Sequence, residues 1–475
     1  MHGSDDLGPA AVTSPGTSGP AGRDDATPMR ILYVVHQFFP EHISGTEQYV
    51  LSLARAGRAA GDDVRVYTVD PDGSHPDRPA NVRQYVHRGV PVVCHDYQKG
   101  LVKNGILIDW WNPQNAASFT HLLDEFRPDV VHFFHFRFIG IDRIAEVRAR
   151  GVPVVVHLMD FWFVCPNYLL LRVQPPGDGV QCDGPPDSGY DCFDCVNPGI
   201  AQWAREPWAR GRHVERRAAG EFPANENSGE QAGFAMVERP RAVAAALREA
   251  TLVISPSRTV QAALEKVGAE PPTLAIVPYA IDRALVDALP PPPTDRVHFG
   301  FMGTFAPHKG LAVLLEAMRG LPDRDVVLRV HGRFGHFGAY DAKLRELAAG
   351  DPRIEFAGAF DHDGLGPVLA NLHALVVPSL WRENTPFVCL EARAAGIELV
   401  VSDLAGMTEC VPPERGVAFA AGDAAALRAR LSEVAARVRA RRFRRLPLDA
   451  SIPDVAAQFA DFRARYAALR CCGST

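Results

Sequence analysis

The sequence predicts an α/β protein built from two doubly wound domains. Short buried strands alternate with amphipathic helices along most of the chain, which is the pattern of parallel sheets covered by helices on both faces. The 475 residues have room for two or three domains of ordinary size. Four consecutive prolines at 290–293 interrupt the alternation, and we interpret residues 286–295 as an interdomain linker.

Composition limits the classes of function. The hydrophobic share of 47% is that of a globular protein, and the net charge of −6 gives no basis for a nucleic-acid partner. No run approaches the roughly 18 apolar residues of a membrane span, and the first residues lack the basic start and apolar segment of a secretory signal. Nine cysteines in so long a chain do not indicate a disulfide scaffold. We therefore expect a cytoplasmic protein.

The first elements in chain order form a strand–helix–strand unit. Residues 1–28 are mostly small and polar, which predicts a disordered leader. An apolar strand then begins at Met29, a helix follows the turn at Gly45 and ends at Gly61, and Val64–Asp70 is the next strand. The loop before such a helix can hold a phosphate or a sugar at its free backbone amides.

Two histidines stand near the end of a later strand. After a short strand near Val90–Cys94 and the helix Ala116–Phe126, an apolar run carries His132 and His135 near its carboxyl end, where open α/β sheets bind ligands. Either histidine can be a proton donor, a substrate contact or a satisfied core residue. Val152–Pro166 then predicts a further buried strand.

An irregular, Cys-rich insertion at 160–200 contains many Pro, Gly and Asp residues. It holds Cys165, Cys182, Cys192 and Cys195, the last two as Cys-x-x-Cys. Four thiols in a segment with little to bury fit a closed tetrahedral zinc site of the structural type, since four sulfur ligands leave no position for a substrate. The other interpretation is four unrelated thiols, or a pair that oxidises.

The alternation resumes after this insertion. Residues 216–233 predict a flexible surface loop. The helix Glu238–Ala250, the strand Thr251–Ser257 and the helix Arg258–Val267 then lead to a strand that ends at Asp282.

The second half continues the pattern after the linker. Its arginine-rich run 437–445 is most simply a solvated face, and peripheral contact with an anionic membrane surface is the alternative. The predicted elements are the strand Val297–Met302, a glycine loop at Gly303, a helix after Lys309-Gly310, two strands around the helix Asp341–Ala349, the strands His373–Ser379 and Glu398–Asp403, the helix Asp423–Ala440 and a final amphipathic helix Pro453–Leu469.

The stretch 378–396 carries the strongest signal for chemistry. Thr385 is a good N-cap, and a helix then starts at Pro386 and ends at Gly396. Glu383 precedes this helix and Glu391 lies on its second turn. Carboxylates bind hydroxyl groups and the free amides of a helix N-terminus bind phosphate, so a nucleotide-sugar suits both. The alternative is a strand–loop–helix unit with two solvated glutamates.

Motifs in both halves resemble one known family. GTFAPHKG, VPSLWRENTPFVCLEA and VVSDLAGMTE follow one another in the second half, and PEHISGTEQYV and DVVHFFHF stand in the first. Over residues 29–470 the chain resembles the retaining glycosyltransferases of family 4 (glycosyl transferases group 1), and HLMDFWFVCP with its trailing cysteines resembles a bacterial subgroup active in polysaccharide biosynthesis. The resemblance implies the GT-B fold, with two Rossmann-like domains facing across a cleft. It implies an acceptor-side domain at 29–285, a nucleotide-sugar domain at 296–445, and a trailing helix and tail at 446–475 that cross back to the first domain.

The resemblance also implies roles for particular residues. Glu391 would hold the ribose hydroxyls, Glu383 would contact the donor sugar at the reacting centre, and Lys309 would pair with the diphosphate. The backbone amides expected to hold the distal phosphate are those of Thr385, Phe387 and Val388, and the remaining expected contacts are Gly45, Gly303 and His135. The family has an arginine after the glycine loop, whereas Thr304 follows Gly303 here; Arg333 or Arg258 would replace that cation.

The implied activity is retaining, metal-independent transfer of a hexose from a nucleoside-diphosphate sugar to a hydroxyl acceptor. The acceptor would be a glycan, a lipid-linked intermediate or a small molecule such as a secondary metabolite, and no catalytic cofactor is expected. Two alternatives are a non-catalytic protein of the same fold that binds sugar nucleotides or glycans, and a nucleotide-sugar epimerase.

Overall fold

A computed structural model of the chain describes residues 27–71, 82–97, 99–172, 179–185, 189–196, 199 and 206–472. The leader expected at 1–28 lies almost wholly outside these residues. The described chain forms two large sheets and one two-stranded ribbon that pairs Leu171–Arg172 with Val180–Gln181.

The first sheet has eight strands and is covered on both faces. Ile31 and Tyr33 of the central strand point into one apolar core, whereas Leu32 and Val34 point into another, as the alternation of a β-strand requires. All neighbours are parallel except one antiparallel pair at the edge, Val82–His87 with Val90–Asp96. Across the sheet the strands are Leu274–Ile276, Leu252–Ser255, Val154–His157, Val130–Phe133, Arg30–Val34, Asp63–Asp70, Val90–Asp96 and Val82–His87.

The second sheet has six strands, all parallel. Leu375 and Leu399 point into the core that also contains Ile31 and Tyr33, so one apolar core extends from the first sheet to the inner face of the second. Val376 and Val400 point into a separate outer core. Across the sheet the strands are Ile354–Phe356, Val326–His331, Val297–Met302, Ala374–Val377, Glu398–Ser402 and Gly416–Phe419.

Helices connect the strands in both halves, as the alternation predicts. In the first half they are Gly45–Ala59, Gly105–Trp110, Ala116–Phe126, Arg143–Arg148, Phe193–Val196, Pro207–Ala218, Gly229–Glu249 and Arg258–Lys266. In the second half they are Leu311–Arg319, Gly338–Ala348, Leu365–Ala370, Phe387–Ala394, Ala405–Cys410 and Ala424–Ala440, followed by the final helix Val455–Cys472.

The final helix returns to the first sheet, which confirms the predicted crossing. A Cβ atom at Gly57 would lie 2.7 Å from the Phe459 ring, so the glycine allows the two helices to approach closely. Tyr466 Oη lies 2.6 Å from His132 Nδ1 inside the core. His132 is therefore a buried core residue and is neither a proton donor nor a substrate contact.

Two predicted boundaries need correction. The strand expected at Val152–Pro166 covers only Val154–His157, because its neighbours Val130–Phe133 and Leu252–Ser255 are equally short and the parallel ladder ends with them. The loop expected at 216–233 is coil only between the helices Pro207–Ala218 and Gly229–Glu249. Arg216 and Glu230, on the two helices, form an ion pair of 2.7 Å.

The arginine-rich run 437–445 pairs largely with the protein itself. Arg437 and Arg441 each lie 2.6 Å from a carboxylate oxygen of Glu398, and Arg439 pairs with Asp325 at 2.5 Å. Contact with a membrane surface stays a prediction. Among the described residues, no helix has the length and apolar character that a membrane crossing requires.

Candidate active site

Glu383 is the centre of a hydrogen-bonded cluster in the second domain. It is buried, and its Oε1 accepts hydrogen bonds of 2.8 Å from Lys309 Nζ, Ser379 Oγ and Trp381 Nε1. The Trp381 ring centroid lies 5.0 Å from Lys309 Nζ, a cation–π distance. No hydrogen bond from a described residue reaches Oε2, so this oxygen is available to a ligand.

Two glycines permit the close packing of the loop that holds Glu383. Gly310 has a φ of +71°, and a Cβ atom there would stand 1.8 Å from the carbonyl oxygen of Pro378. At Gly406 a Cβ atom would stand 1.5 Å from the carbonyl oxygen of Glu383. Any larger residue would displace the loop, since real Cβ atoms do not approach oxygen so closely.

The helix after this loop starts one residue later than predicted. Pro386 is its N-cap and Phe387 its first residue. Thr385 is not the cap, because the helix begins only at Phe387 and the Thr385 hydroxyl donates to the carbonyl oxygen of Asn384. The Thr385 amide donates to Asn384 Oδ1 at 2.6 Å. The amide expected from Thr385 is thus not free for a phosphate. The amides of Phe387 and Val388 find no acceptor among the described residues, and they lie at the positive end of the helix dipole.

Glu391 lies on the same helix and is almost fully buried. Its Oε1 is 3.3 Å from His362 Nε2. Burial raises the pKa of Glu391 to about 7 and lowers the pKa of His362, since a low-dielectric environment disfavours both charged forms. The Glu391 carboxyl and the His362 imidazole lie side by side, and together they can accept hydrogen bonds from, and donate them to, the hydroxyl groups of a ligand.

Residues of the first domain close over the start of this helix. A Cβ atom at Gly45 would lie 2.8 Å from the Phe387 ring, and the Tyr279 ring stacks on Phe387 with centroids 4.6 Å apart. Asn384 Nδ2 donates to Tyr279 Oη at 3.1 Å and to the carbonyl oxygen of Met159. Gly45 and Phe387, expected on opposite sides of the cleft, are therefore in contact.

His135 lies just beyond the carboxyl end of the strand Val130–Phe133, on the first-domain side. Its Nδ1 accepts a hydrogen bond of 3.1 Å from the backbone N–H of Arg137, and its Nε2 is 3.2 Å from Asp160 Oδ2. Because Nδ1 is an acceptor, the ring proton is on Nε2 and is donated to Asp160. The His36 ring lies 4.1 Å away from that of His135, centroid to centroid. Both nitrogens of His135 are thus engaged by the protein.

Gly303 and Arg333 end two adjacent strands of the second sheet. The Gly303 amide donates to the carbonyl oxygen of His331 at 3.0 Å, and a Cβ atom at Gly303 would meet no atom within 4 Å. Arg333 is exposed and forms no ion pair with a described residue. The structure thus places a cation without an ion-pair partner among the described residues at the sheet edge near Thr304. Arg258 begins a first-domain helix and is also exposed.

Some residues of the site were not predicted from the sequence. His362, the partner of Glu391, belongs to a separate turn, and nothing in its neighbourhood marks it. The Asn384 contact with Tyr279 joins residues 105 positions apart. Ser379 and Trp381 lie inside the stretch 378–396. Both stand within four residues of Glu383, and a buried carboxylate needs hydrogen-bond donors, so their proximity in sequence was the signal that could have indicated them.

Comparison with known proteins agrees with this architecture. Residues 296–437 match the family described as Glycosyl transferases group 1, and residues 44–182 match the Glycosyl transferase 4-like domain. These two matches together cover more than half of the chain. A phosphatidyl-myo-inositol mannosyltransferase of Mycobacterium leprae is 33% identical over 132 residues, which are 27% of this chain and 34% of that protein. The match thus spans about a third of that relative's length.

Solved structures with low sequence identity share the fold. Sucrose-phosphate synthase from Thermosynechococcus elongatus superposes with a TM-score of 0.58 at 17% identity, covering 93% of this chain and 94% of that one. Anabaena HepE in complex with UDP gives a TM-score of 0.54 at 14% identity, over 94% and 98% of the two chains. Both sheets, the returning final helix and the two family matches lead to one conclusion: the chain belongs to the group 1 glycosyltransferases and has the GT-B fold.

Proposed function

We propose that this protein transfers a sugar from a nucleoside-diphosphate sugar to a hydroxyl acceptor. The observation that carries the proposal is the cluster of Lys309 and Glu383 beside the free amides of Phe387 and Val388. A cation and unpaired helix amides suit a diphosphate, and the carboxylates Glu383 and Glu391 suit the hydroxyls on either side of it. Anabaena HepE, which shares the fold, is described in complex with UDP-glucose.

In this mechanism the leaving diphosphate is stabilised by groups of the second domain. Negative charge grows on the diphosphate as the bond to the sugar breaks, and Lys309 and the amides of Phe387 and Val388 offset it without a metal ion. Arg333 supplies a second positive charge from the neighbouring strand end. Fixed donors of this kind need little reorganisation during the reaction, which is why they favour the transition state over the ground state.

The sugar reacts between Glu383 and the first domain. The anomeric carbon becomes cation-like, and Glu383 Oε2 steadies it or positions its hydroxyls. Attack by the acceptor hydroxyl from the face that the diphosphate leaves, with the departing phosphate as base, gives retention of configuration. His135, oriented by Asp160, lines the first-domain side of the reacting sugar. Closure of the two domains excludes water and so suppresses hydrolysis of the donor.

A panel of donors tests the proposal. UDP-, GDP-, dTDP- and ADP-sugars are compared by thermal shift, with a mannosyl donor among them because the Mycobacterium relative is a mannosyltransferase. One of these donor classes should raise the melting temperature of the protein and support sugar transfer. NMR of the product then gives the configuration at the anomeric carbon. Acceptors to test are glycans, lipid-linked sugars and small hydroxylated molecules.

The same assays separate the alternatives. A non-catalytic member binds a donor but neither hydrolyses nor transfers it, and an epimerase converts the donor without any acceptor. In a transferase, Glu383→Gln should bind the donor and transfer slowly. A Glu383→Gln variant as active as the parent would remove that residue from the mechanism.

A further inference from the structure

The four cysteines of the insertion lie around one small cavity. Cys165, Cys182, Cys192 and Cys195 all line a space of about 20 Å³. Such a volume accommodates one water-sized guest. The described cysteines form no disulfide with one another. Residues separated by up to thirty positions in an irregular segment are therefore gathered at one point.

Backbone amides already point at two of these sulfurs. The Gly184 N–H donates to Cys182 Sγ at 3.4 Å, and the Cys165 thiol accepts hydrogen bonds from the backbone at Asn167 and Leu170. These donors hold the two sulfur atoms in place beside the cavity. Turns of this kind orient ligands before a metal is bound.

One buried cation lies beside the cavity. The buried guanidinium of Arg239 interacts electrostatically with Cys165 and Cys192, while its Nε and Nη1 have no hydrogen-bond partner in the described structure. Four thiolates would carry four negative charges, of which the guanidinium of Arg239 offsets one. A metal ion would be needed to offset the remaining negative charge.

We propose that these four cysteines hold a structural Zn²⁺ ion. Four thiols release four protons as the four Zn–S bonds form, and the tetrahedral shell is then full, so the site takes no part in the transfer reaction. Among the described residues, no group of three or more His, Cys, Asp or Glu side chains is placed so that it could hold a metal ion without rearrangement. Binding would therefore require the thiols to turn inward around the cavity.

Such a site would fix the insertion against the second domain. Gln181 Nε2 donates to the carbonyl oxygen of Leu380 at 2.6 Å, and Arg382 pairs with Asp183 at 2.8 Å. Cys182 lies between these two contact residues. The metal would hold the insertion at the loop that carries Glu383, a consequence that does not depend on which donor is used.

Metal content of the full-length protein tests the proposal without any substrate. Protein purified without chelators should contain one zinc per chain by elemental analysis. Cys182→Ser and Cys195→Ser should each lower this content at least about tenfold. Cys471→Ser, which changes an exposed cysteine of the final helix, should leave it unchanged.

A second measurement covers variants that fail to fold. In the unmodified protein, a mercurial reagent is added to titrate the thiols, and a metallochromic dye detects any zinc that is released. Zinc should be released as the four cysteines react. Zinc below about 0.1 per chain, iron in its place, or zinc that persists in both serine variants would overturn the proposal. None of these readouts involves donor binding, so a failed transfer assay leaves them unaffected.

Discussion

Lys309 Nζ lies 2.8 Å from Glu383 Oε1, so the cation and the carboxylate proposed to bind the donor form an ion pair with each other. Trp381 supports both partners, because its indole N–H donates to the same oxygen and its ring lies beside the ammonium group. The ion pair keeps Lys309 in place at the helix N-terminus. A diphosphate bound here, as proposed, would meet a lysine that is already held in position.

Replacing Lys309 with alanine should weaken donor binding and lower kcat. The lysine offsets charge that develops on the leaving group, and loss of one such donor costs about 10²–10³ in kcat. Lys343→Ala is the matched control, because Lys343 is exposed on the outer helix Gly338–Ala348. Steady-state kinetics with the best donor would measure both effects. Equal kcat in the two variants would contradict the role of Lys309.

Gly45→Ala should disturb the contact between the two domains. The added Cβ atom would lie 2.8 Å from the Phe387 ring, and displacement of that ring moves the amides at the start of its helix. We expect a raised KM for the donor with little loss of fold stability. Gly105→Ala is the control, since a Cβ atom there meets nothing within 4 Å. Donor KM values that do not differ between the variants would count against this contact as part of the site.

The pairing of His135 with Asp160 predicts that the two act together. Asp160→Asn replaces the carboxylate that accepts the Nε2 proton at 3.2 Å, so the ring loses its fixed orientation. Both Asp160→Asn and His135→Gln should lower kcat by roughly 10²-fold, the size of loss expected when a group that positions the reacting sugar is misplaced. The double variant should be no worse than either single one. Additive losses would show that the two residues act separately.

Local sequence was enough to predict most of the strands and helices and to single out Glu383, Glu391 and Lys309, whose roles stay predictions. Glu383, Glu391 and Lys309 stand in compact motifs, and each lies in the second domain near the start of the helix Phe387–Ala394. Their arrangement depends on short-range turns, which local sequence determines. The shift of the N-cap from Thr385 to Pro386 is of the size expected at helix ends.

Contacts between distant segments could not be predicted in this way. His362 meets Glu391 only once the second domain has folded, and Asn384 meets Tyr279 only after both domains are placed. The strand Val154–His157 is shorter than its apolar run because its neighbours end with it. In each case the deciding partner is remote in sequence, and a single chain contains no local signal for it.

Arg333→Ala should raise the donor KM if this arginine replaces the missing family cation. It follows the strand Val326–His331, beside the strand that leads to Gly303, and no described acidic group neutralises it. Loss of one charge-assisted contact is expected to cost about tenfold in kcat/KM. Arg324→Ala is the control, because Arg324 precedes the same strand at its opposite end. Equal kcat/KM values would favour Arg258 as the compensating residue, which Arg258→Ala then tests.

Glu391→Gln should stabilise the donor-free protein at high pH and weaken donor binding. Burial raises the pKa of Glu391 from 4.5 to about 7. Between these values the unfolded chain loses the proton while the folded chain keeps it, so stability falls as pH rises, by on the order of 3 kcal/mol once pH exceeds the folded pKa. Glutamine does not ionise, so the Glu391→Gln variant lacks this pH-dependent loss of stability. Its Tm should exceed that of the parent by more at pH 8 than at pH 5, whereas exposed Glu316→Gln shows no such difference. A gain equal at both pH values would refute the raised pKa.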